Sequence, residues 1–488
     1  MKGTMNSRMA TVFTGLAIGF GGIVVMLTWW QVVVAGELKQ KDQNNQTAYY
    51  EQRVQRGFVS TRDGVRIAGR TARTGANGDT IYTRRYPAGS LAAHVLGYDT
   101  RGHSRAGVER AMNDALTASS RDLGAVVGLL DGDEEVIGDD VRLTIDAEAQ
   151  RIAERELAEN APEGGAVVAL DPDTGKVLTM ASYPTFEPAA VVRDFEAAAT
   201  GSRLFNRATQ AAYPPGSTFK VLVAAAAIED GIASPDRTFE GGCTFATPGP
   251  DLSNYGGQCY GGHDLTEALT KSINTTFAEL GTELGDARLR EQMGAFGFFE
   301  RPPLRGIPAD EVRASGLSDG SGKPLPEDSP IDEARTAIGQ DKLTVSPLQM
   351  ALVAAGIGNG GVVPEPTLIE DVKTSGGRVV ERAESEPWKT AIQADTARTL
   401  TEMMKNVVNE GSGTAARIEG VDVAGKTGTA EASGGNITWF IAFAPADDPE
   451  VAIAVAVEGQ SSGQTGGAVS APIARQVMEA LLGRAGDA

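Results

Sequence analysis

The feature that most limits what this chain can fold into is a run of 28 residues without a charge, over residues 9–36. About 20 apolar residues are enough for a helix to cross a bilayer. Trp29 and Trp30 lie towards the far end of the run, where aromatic rings favour the headgroup layer. The run predicts a single membrane-spanning helix over residues 9–36, with residues 1–8 as a cytoplasmic tail.

A cleaved signal peptide is the alternative, since residues 33–35 resemble a cleavage site. The apolar run is longer than the 7–15 residues of a typical signal core, which favours a retained anchor. Lys2 and Arg8 favour the inside of the membrane, although Lys39 and Lys41 weaken that asymmetry. We therefore predict a single-pass protein of the cell membrane, with the rest of its 488 residues folded outside the cytoplasm.

The inventory of side chains excludes several classes of function. The chain has 44 basic and 64 acidic residues and a net charge of −20, so it repels phosphate backbones and is not expected to bind nucleic acid. Three histidines and two cysteines cannot build a zinc finger or a multi-histidine centre. We predict no metal and no cofactor, and chemistry that relies on Ser, Thr, Lys, Asp and Glu.

The charge also divides the chain. Residues 37–125 carry 14 basic and 9 acidic side chains, whereas residues 126–488 carry a strong excess of acidic side chains. The acidic run over residues 131–140 is typical of a solvated linker. We predict a membrane-proximal module over 37–139 and a larger domain over 140–488. One hypothesis is that arginines of the module, such as Arg66 and Arg70, dock on anionic lipid or a partner; simple solubility of the acidic domain explains the asymmetry equally well.

The two cysteines, Cys243 and Cys259, lie in a Gly/Asn-rich stretch on the predicted outer side. Disulfides persist in such a compartment. A bond closing a loop of this size would stabilise the fold by about 3 kcal/mol in the chain-entropy model. We predict a disulfide here, with two free thiols as the alternative.

The order of predicted elements indicates an α+β fold. Apolar spacing and turn residues predict a helix over 147–158 capped by Asp146, strands over 166–170 and 177–182, helices through 206–350, strands over 421–430, 438–444 and 451–458, and a closing helix over 471–482. This order predicts an antiparallel sheet with a helical subdomain, because a helical block is inserted between the first two strands and the last three, and a helix follows them.

The sharpest local motif is the stretch 213–222, in which two prolines and a glycine precede Ser217. Ser217 opens an Ala-rich helical pattern, and the positive end of a helix dipole favours a developing alkoxide. Lys220 follows one turn later on the same face, so its amine is predicted to reach the Ser217 hydroxyl. A desolvated lysine can act as the base that a serine nucleophile needs.

Two further motifs follow in the chain. Ser272 and Asn274 place a hydroxyl and a carboxamide two positions apart, which suits proton transfer and binding of a substrate amide. Lys426, Thr427, Gly428 and Thr429 lie on a predicted strand, where Lys and Thr can hold a carboxylate and Gly428 admits substrate to the backbone N–H groups. Each motif alone is weak, but the three together, in this order, form a known signature.

With this signature the chain resembles a class B penicillin-binding protein, and is most similar to the actinobacterial penicillin-binding protein A group. The resemblance runs from about residue 55 to 482. Further stretches that carry it are 56–64, 86–98, 107–109, 338–340, 344–348 and 439–443. It implies a serine penicillin-recognising transpeptidase fold, with a five-stranded antiparallel sheet flanked by helices and an all-helical subdomain, and a pedestal or dimerisation-type module near the membrane.

The resemblance also implies roles for individual residues. Ser217 would be the acylated nucleophile, Lys220 its general base and Ser272 a proton relay to the leaving D-alanine. Asn274 would bind the stem peptide, and Lys426 and Thr427 its terminal carboxylate. Gly428 would belong to the strand edge that binds the substrate. The backbone N–H groups of Ser217 and Thr429 would form the oxyanion hole.

The implied reaction is cross-linking of peptidoglycan stem peptides through an acyl-serine, with β-lactams as covalent inhibitors. The amino-terminal module is too short for a glycosyltransferase domain, so the resemblance implies a SEDS-type glycan polymerase as partner; a homodimer is also open. The alternatives are a D,D-carboxypeptidase, a β-lactamase-like hydrolase, a non-catalytic division scaffold and a penicillin sensor.

Overall fold

The structure is a computed structural model that describes residues 3–29, 53–75, 80–100, 104–118, 136–319, 322–326, 328–432 and 434–483. The main elements are, in chain order, α1 (Gly3–Trp29), β1 (Val59–Ser60), β2 (Arg66–Thr74), β3 (Thr80–Arg85), β4 (Asp140–Leu143), α2 (Ala147–Asn160), β5 (Gly165–Leu170), β6 (Val177–Tyr183), α3 (Lys220–Glu229), α4 (Leu265–Thr270), α5 (Asn274–Ala295), α6 (Pro347–Gly358), β7 (Ile369–Lys373), β8 (Val379–Arg382), α7 (Ala394–Asn409), β9 (Ala424–Ala430), β10 (Asn436–Ala444), β11 (Val451–Gln460) and α8 (Ser470–Leu481).

Shorter elements connect these. The short α-helices are Ala93–Leu96, Gly107–Ala111, Asn113–Thr117, Pro188–Arg193, Phe195–Ala198, Arg207–Gln210 and Glu333–Ala337. The short strands are Asp99–Thr100, Ser104–Arg105, Thr238–Phe239, Thr244–Phe245, Leu252–Ser253, His263–Asp264, Gly316–Leu317, Leu343–Thr344, Val362–Pro364 and Pro387–Thr390.

A five-stranded antiparallel sheet forms the centre of the larger domain, with strand order β9-β10-β11-β5-β6. Successive side chains point to opposite faces, and both faces are covered. Val167 and Phe440 pack in one cluster with Val477 of α8, whereas Val168 and Trp439 belong to the cluster that contains α6. This burial on both faces explains why these strands read as continuous apolar runs, and it confirms the predicted α+β sheet.

The helical subdomain is built around α3, whose residues 220–227 are all buried. A helix that is apolar on every side is stable only when neighbours surround it, and α5 and α7 provide contacts of this kind. Its first residue is Lys220, the single charged side chain of this buried stretch. The helical core therefore presents one amine at the end of the helix that faces the sheet.

Two local details differ from the sequence prediction. Ser217 lies in a 3₁₀ turn, Gly216–Phe219, and the α-helix begins only at Lys220. The positive φ of Gly216, 54°, gives the turn its sharp entry. The strand predicted from residue 421 begins at Ala424, because Ile418 and Val421 close a small turn before it.

A second sheet joins the membrane-proximal module to the larger domain. Its strand order is β8-β7-β4-β1-β2-β3, with β1 and β4 parallel. The predicted boundary between residues 139 and 140 falls at the start of β4, inside this sheet. Gly138 lets the chain pass close to the module just before β4, because a Cβ at residue 138 would lie 1.7 Å from the Leu116 carbonyl oxygen.

The acidic run was predicted to be a solvated linker, and for its last residues that is wrong. Asp139 is 3% exposed, and the Asp140 carboxylate accepts a hydrogen bond from the Phe58 N–H at 2.7 Å. The cause is strand pairing, which draws these carboxylates onto the sheet. Residues 131–135 of the run lie outside the described residues.

The arginines of the module make contacts within it. Arg66 and Arg70 both stack over the Phe58 ring, at 3.8 and 4.4 Å from its centroid, and Arg70 donates to the Arg56 carbonyl oxygen at 2.8 Å. These contacts give the two side chains a role in the module itself. Docking on lipid or a partner stays a prediction.

Helix α1 covers residues 3–29, and residues 30–36 of the predicted membrane span lie outside the described residues. Among the helices that the structure describes, none has the length and hydropathy needed to cross a membrane. The predicted transmembrane helix is therefore not confirmed.

Candidate active site

The turn that carries Ser217 packs directly on strand β9, and two glycines make this possible. A Cβ on Gly216 would lie 2.6 Å from the Thr429 carbonyl oxygen, and one on Gly428 would lie 2.8 Å from that of Pro215. The Gly216 N–H also donates to the Gly339 carbonyl at 2.9 Å. Backbone therefore lies against backbone here, with Ser217 next to the strand of the third motif.

Lys220 is fully buried, and its amine faces the second motif. Its Nζ lies 2.8 Å from the Ser272 carbonyl oxygen, 2.7 Å from Asn274 Oδ1 and 3.3 Å from Ser272 Oγ. Burial lowers the pKa of Lys220 well below its usual value, and the nearby charge of Lys426 lowers it further. A neutral amine in this position can donate to the two carbonyl oxygens and use its lone pair on a hydroxyl proton.

Ser272 lies between the ends of α4 and α5 with a left-handed backbone, φ 60°. Such a conformation is unfavourable for a non-glycine residue by about 1–2 kcal/mol and persists where the surroundings fix it. Its hydroxyl lies between two amines, 3.3 Å from Lys220 Nζ and 3.0 Å from Lys426 Nζ. The turn thus aims the Ser272 hydroxyl into the site.

Lys426 approaches the same hydroxyl from strand β9. Its side chain is fully buried, and its Nζ also donates to the Thr427 carbonyl at 3.0 Å. Burial lowers the pKa of Lys426 to about 7. Within the described part of the chain, neither Lys220 nor Lys426 forms an ion pair with a carboxylate. For both lysines, burial therefore favours the neutral amine.

A loop closed by a disulfide holds Asn274. Cys243 and Cys259 are bonded, and the strand Leu252–Ser253 lies between them. Asn274 Nδ2 donates to the Ser253 carbonyl at 2.9 Å, while Asn254 Oδ1 accepts from the N–H of Thr275 at 3.1 Å. The disulfide loop thus fixes the start of α5, where Asn274 presents its Oδ1 to Lys220.

The third motif is also supported on its far side. Thr427 Oγ1 lies 2.5 Å from Ser412 Oγ, and Thr429 Oγ1 accepts from the Gly466 N–H at 3.3 Å. Sequence reasoning missed Asn254, Ser412 and Gly466 as parts of the site. The close spacing of glycines at 411–413 and at 466–467 was the available signal for two of them.

The structure brings the three motifs together. Lys220, Ser272, Asn274 and Lys426 share hydrogen bonds, and Thr427, Gly428 and Thr429 lie on β9 beside the Ser217 turn. One expected contact differs: the three hydrogen bonds of Lys220 go to Ser272 and Asn274 and not to Ser217. In the described ranges, no three His, Cys, Asp or Glu side chains converge as a metal site would require.

Comparison with known proteins gives the family. The family described as "Penicillin binding protein transpeptidase domain" matches residues 165–479, and "Penicillin binding protein A dimerisation domain" matches residues 56–136. The chain belongs to the penicillin-binding protein transpeptidase family. The resemblance stated from the sequence is thereby confirmed.

Individual penicillin-binding proteins resemble nearly the whole chain. A curated relative from Mycolicibacterium smegmatis, "Peptidoglycan D,D-transpeptidase PbpA", is 34% identical over 98% of this chain and 99% of its own length. The solved imipenem acyl-enzyme complex of penicillin-binding protein A from M. tuberculosis has a TM-score of 0.79 and 33% identity, covering 88% of this chain and 100% of that one. A D,D-transpeptidase domain from Eggerthella lenta has a TM-score of 0.75 and 33% identity, covering 89% of this chain and 99% of that one.

Proposed function

We propose that this penicillin-binding protein is a peptidoglycan D,D-transpeptidase that works through an acyl-serine intermediate. The observation that carries the proposal is the buried amine of Lys220, held with Ser272, Asn274 and Lys426 next to the Ser217 turn. An amine whose pKa is lowered by burial is suited to act as the base that a serine nucleophile needs. The names of the relatives in the family support the same reaction.

In the acylation step, Ser217 attacks the carbonyl of the D-Ala–D-Ala bond and Lys220 accepts its proton. Ser272 Oγ lies within hydrogen-bonding reach of both lysines, so it can pass a proton towards the leaving D-alanine. The acyl group then passes to the amine of a neighbouring stem, with the same residues used in reverse. A β-lactam would acylate Ser217 in the same way and block it.

The other residues of the site would bind and polarise the substrate. Lys426 and Thr427 would hold the terminal carboxylate, and Asn274 would bind the stem backbone. Gly428 would keep the Ser217 turn close to the strand on which the peptide binds, because a Cβ there would lie 2.8 Å from the Pro215 carbonyl oxygen. The backbone N–H groups of Ser217 and Thr429 would stabilise the oxyanion. Support for this arrangement is the close packing of the Ser217 turn on β9.

We also propose that the protein is anchored in the cell membrane by residues 9–36, with its transpeptidase domain outside the cytoplasm. The uncharged run supports this, as does the disulfide, which suits an oxidising compartment. A SEDS-type glycan polymerase is the proposed membrane partner. The match of residues 56–136 to a dimerisation domain supports a homodimer.

Labelling with benzylpenicillin followed by peptide mass spectrometry tests the proposal. We expect one acyl group, on Ser217, that lasts for hours, and none in Ser217→Ala. Ser234→Ala, which removes an exposed hydroxyl bonded to Asp236, should label like the wild-type protein. A label on another residue would contradict the assignment, and release within seconds would indicate a hydrolase.

The purified protein with lipid-linked stem peptides separates the remaining alternatives. We expect cross-linked dimers; release of D-alanine with no dimers would indicate a carboxypeptidase. Growth supported by Ser217→Ala, in cells that require the gene, would indicate a scaffold or a sensor.

A further inference from the structure

Ser412 has no part in the proposed mechanism, although its hydroxyl contacts Thr427 of the third motif. Ser412 Oγ and Thr427 Oγ1 lie 2.5 Å apart, which is a short hydrogen bond between two groups that can each donate. Ser412 is exposed, whereas Thr427 is only 6% exposed. The pair therefore lies where the buried strand β9 meets solvent.

The position of Ser412 is fixed by its neighbours. It lies in the turn after α7, where a Cβ on Gly411 would be 2.4 Å from the Thr270 carbonyl oxygen. The Gly413 N–H donates to the Val407 carbonyl at 2.9 Å. From the other side, a Cβ on Gly467 would be 2.2 Å from the Ser412 carbonyl oxygen. Three parts of the chain thus hold this turn against the strand.

The direction of the hydrogen bond matters, because a threonine hydroxyl has a single proton. If Thr427 donates to Ser412, it has no proton left for a ligand. If Ser412 donates to Thr427, the Thr427 proton is free for an anion that binds next to the buried Lys426. An approaching carboxylate selects the second arrangement, since hydrogen bonds to charged acceptors are stronger than those between neutral groups.

We propose that Ser412 is a positioning residue that donates to Thr427 Oγ1, so that Thr427 donates its own proton to the carboxylate of the bound stem peptide or β-lactam. The inference rests on the proposed function, since it needs a substrate carboxylate at Lys426 and Thr427. Ser412, which lies outside the three motifs, would thereby help the site to select substrates that carry this carboxylate.

The test compares acylation rates for benzylpenicillin and its methyl ester, in which the carboxylate is masked. In Ser412→Ala we expect about fivefold slower acylation by benzylpenicillin, the size of one neutral hydrogen bond, because the Thr427 hydroxyl keeps its proton but loses the donor that orients it. The rate with the ester should change by less than about twofold. Ser412→Thr keeps the hydroxyl and should restore the rate, and Ser234→Ala, which removes an exposed hydroxyl bonded to Asp236, is the matched control.

A double-mutant cycle tests the link between the two hydroxyls. Because Ser412 acts through Thr427, Ser412→Ala should add almost nothing to the loss caused by Thr427→Ala. Additive losses would overturn the inference, as would equal slowing with the acid and the ester or no slowing at all. A wild-type protein that neither compound acylates would overturn the proposed function itself, which is a different result.

Discussion

In the part of the chain that the structure describes, one cluster of buried arginines and one cluster of buried lysines are built in opposite ways. In the membrane-proximal module, Arg56 and Arg84 both bind the carboxylate of Glu109, at 2.7 and 2.6 Å. In the candidate active site, Lys220 and Lys426 share the hydroxyl of Ser272. No carboxylate pairs with these lysines within the described residues.

The two clusters differ in how the surroundings of a buried basic side chain change its pKa. Burial alone lowers the pKa of Arg56, but the carboxylates of Glu109 and Asp99 outweigh it and the pKa is raised, so the charge is fixed. For Lys220, burial and the charge of Lys426 act in the same direction and lower the pKa. The presence or absence of a counterion decides whether a buried base can give up its proton.

Among the substitutions that test this difference, Lys220→Met should have the largest effect on the acylation rate. The change removes the base and keeps an unbranched side chain of similar length, so acylation by a fluorescent penicillin should slow about 1,000-fold. Stopped-flow fluorescence measures the rate, and circular dichroism checks the fold. Retention of the rate within tenfold would show that another group is the base.

In the structural cluster, Glu109→Gln should destabilise the protein. The change removes the carboxylate that Arg84 binds and leaves Arg56 with only the more distant carboxylate of Asp99, 3.8 Å away, which should lower the free energy of unfolding by about 3 kcal/mol. Chemical denaturation measures this. Asp310→Asn is the matched control, because its ion pair with Arg110 is exposed and should contribute less than about 1 kcal/mol. Equal effects of the two changes would refute the role assigned to Glu109.

Asn274→Asp would give the lysine cluster a carboxylate, as the arginine cluster already has. It places a carboxylate where Oδ1 now lies 2.7 Å from Lys220 Nζ, which favours the charged amine and raises the pKa of Lys220. Acylation at pH 7 should fall about tenfold and recover as the pH rises, because the base is deprotonated only at higher pH. A pH–rate profile measures this, and Asn274→Ala, which adds no charge, should not show the shift. A loss that is the same at every pH would contradict the explanation.

The smallest effect is expected at Asn254, which supports Asn274 from the disulfide loop. Asn254→Ala removes the hydrogen bond to the Thr275 N–H and two more to the loop carbonyls of Gly242 and Gln258. We expect acylation to slow a few-fold and stability to fall by about 1–2 kcal/mol. An unchanged rate with lower stability would show that the loop supports the fold without positioning Asn274.

The sequence predicted the antiparallel sheet, the disulfide pair and the motif residues that the fold gathers. The sheet follows from apolar runs in strands, whereas the assembly of the three motifs followed from their resemblance to a known family. The sequence did not predict the partners that lie outside these motifs. Arg56 and Glu109 are 53 residues apart, and the arginine-rich composition of the module pointed to a surface role. The left-handed turn at Ser272 was missed for the same reason, since tertiary packing holds it.

The sheet shared by the two parts of the chain has a consequence for truncated forms of this protein. A fragment that starts at residue 140 would keep β4, β7 and β8 but lose β1, which pairs with β4 along one side. The N–H and C=O groups of β4 would then form an exposed edge strand, which invites pairing with other chains. We expect such a fragment to aggregate more readily than one that begins before residue 56.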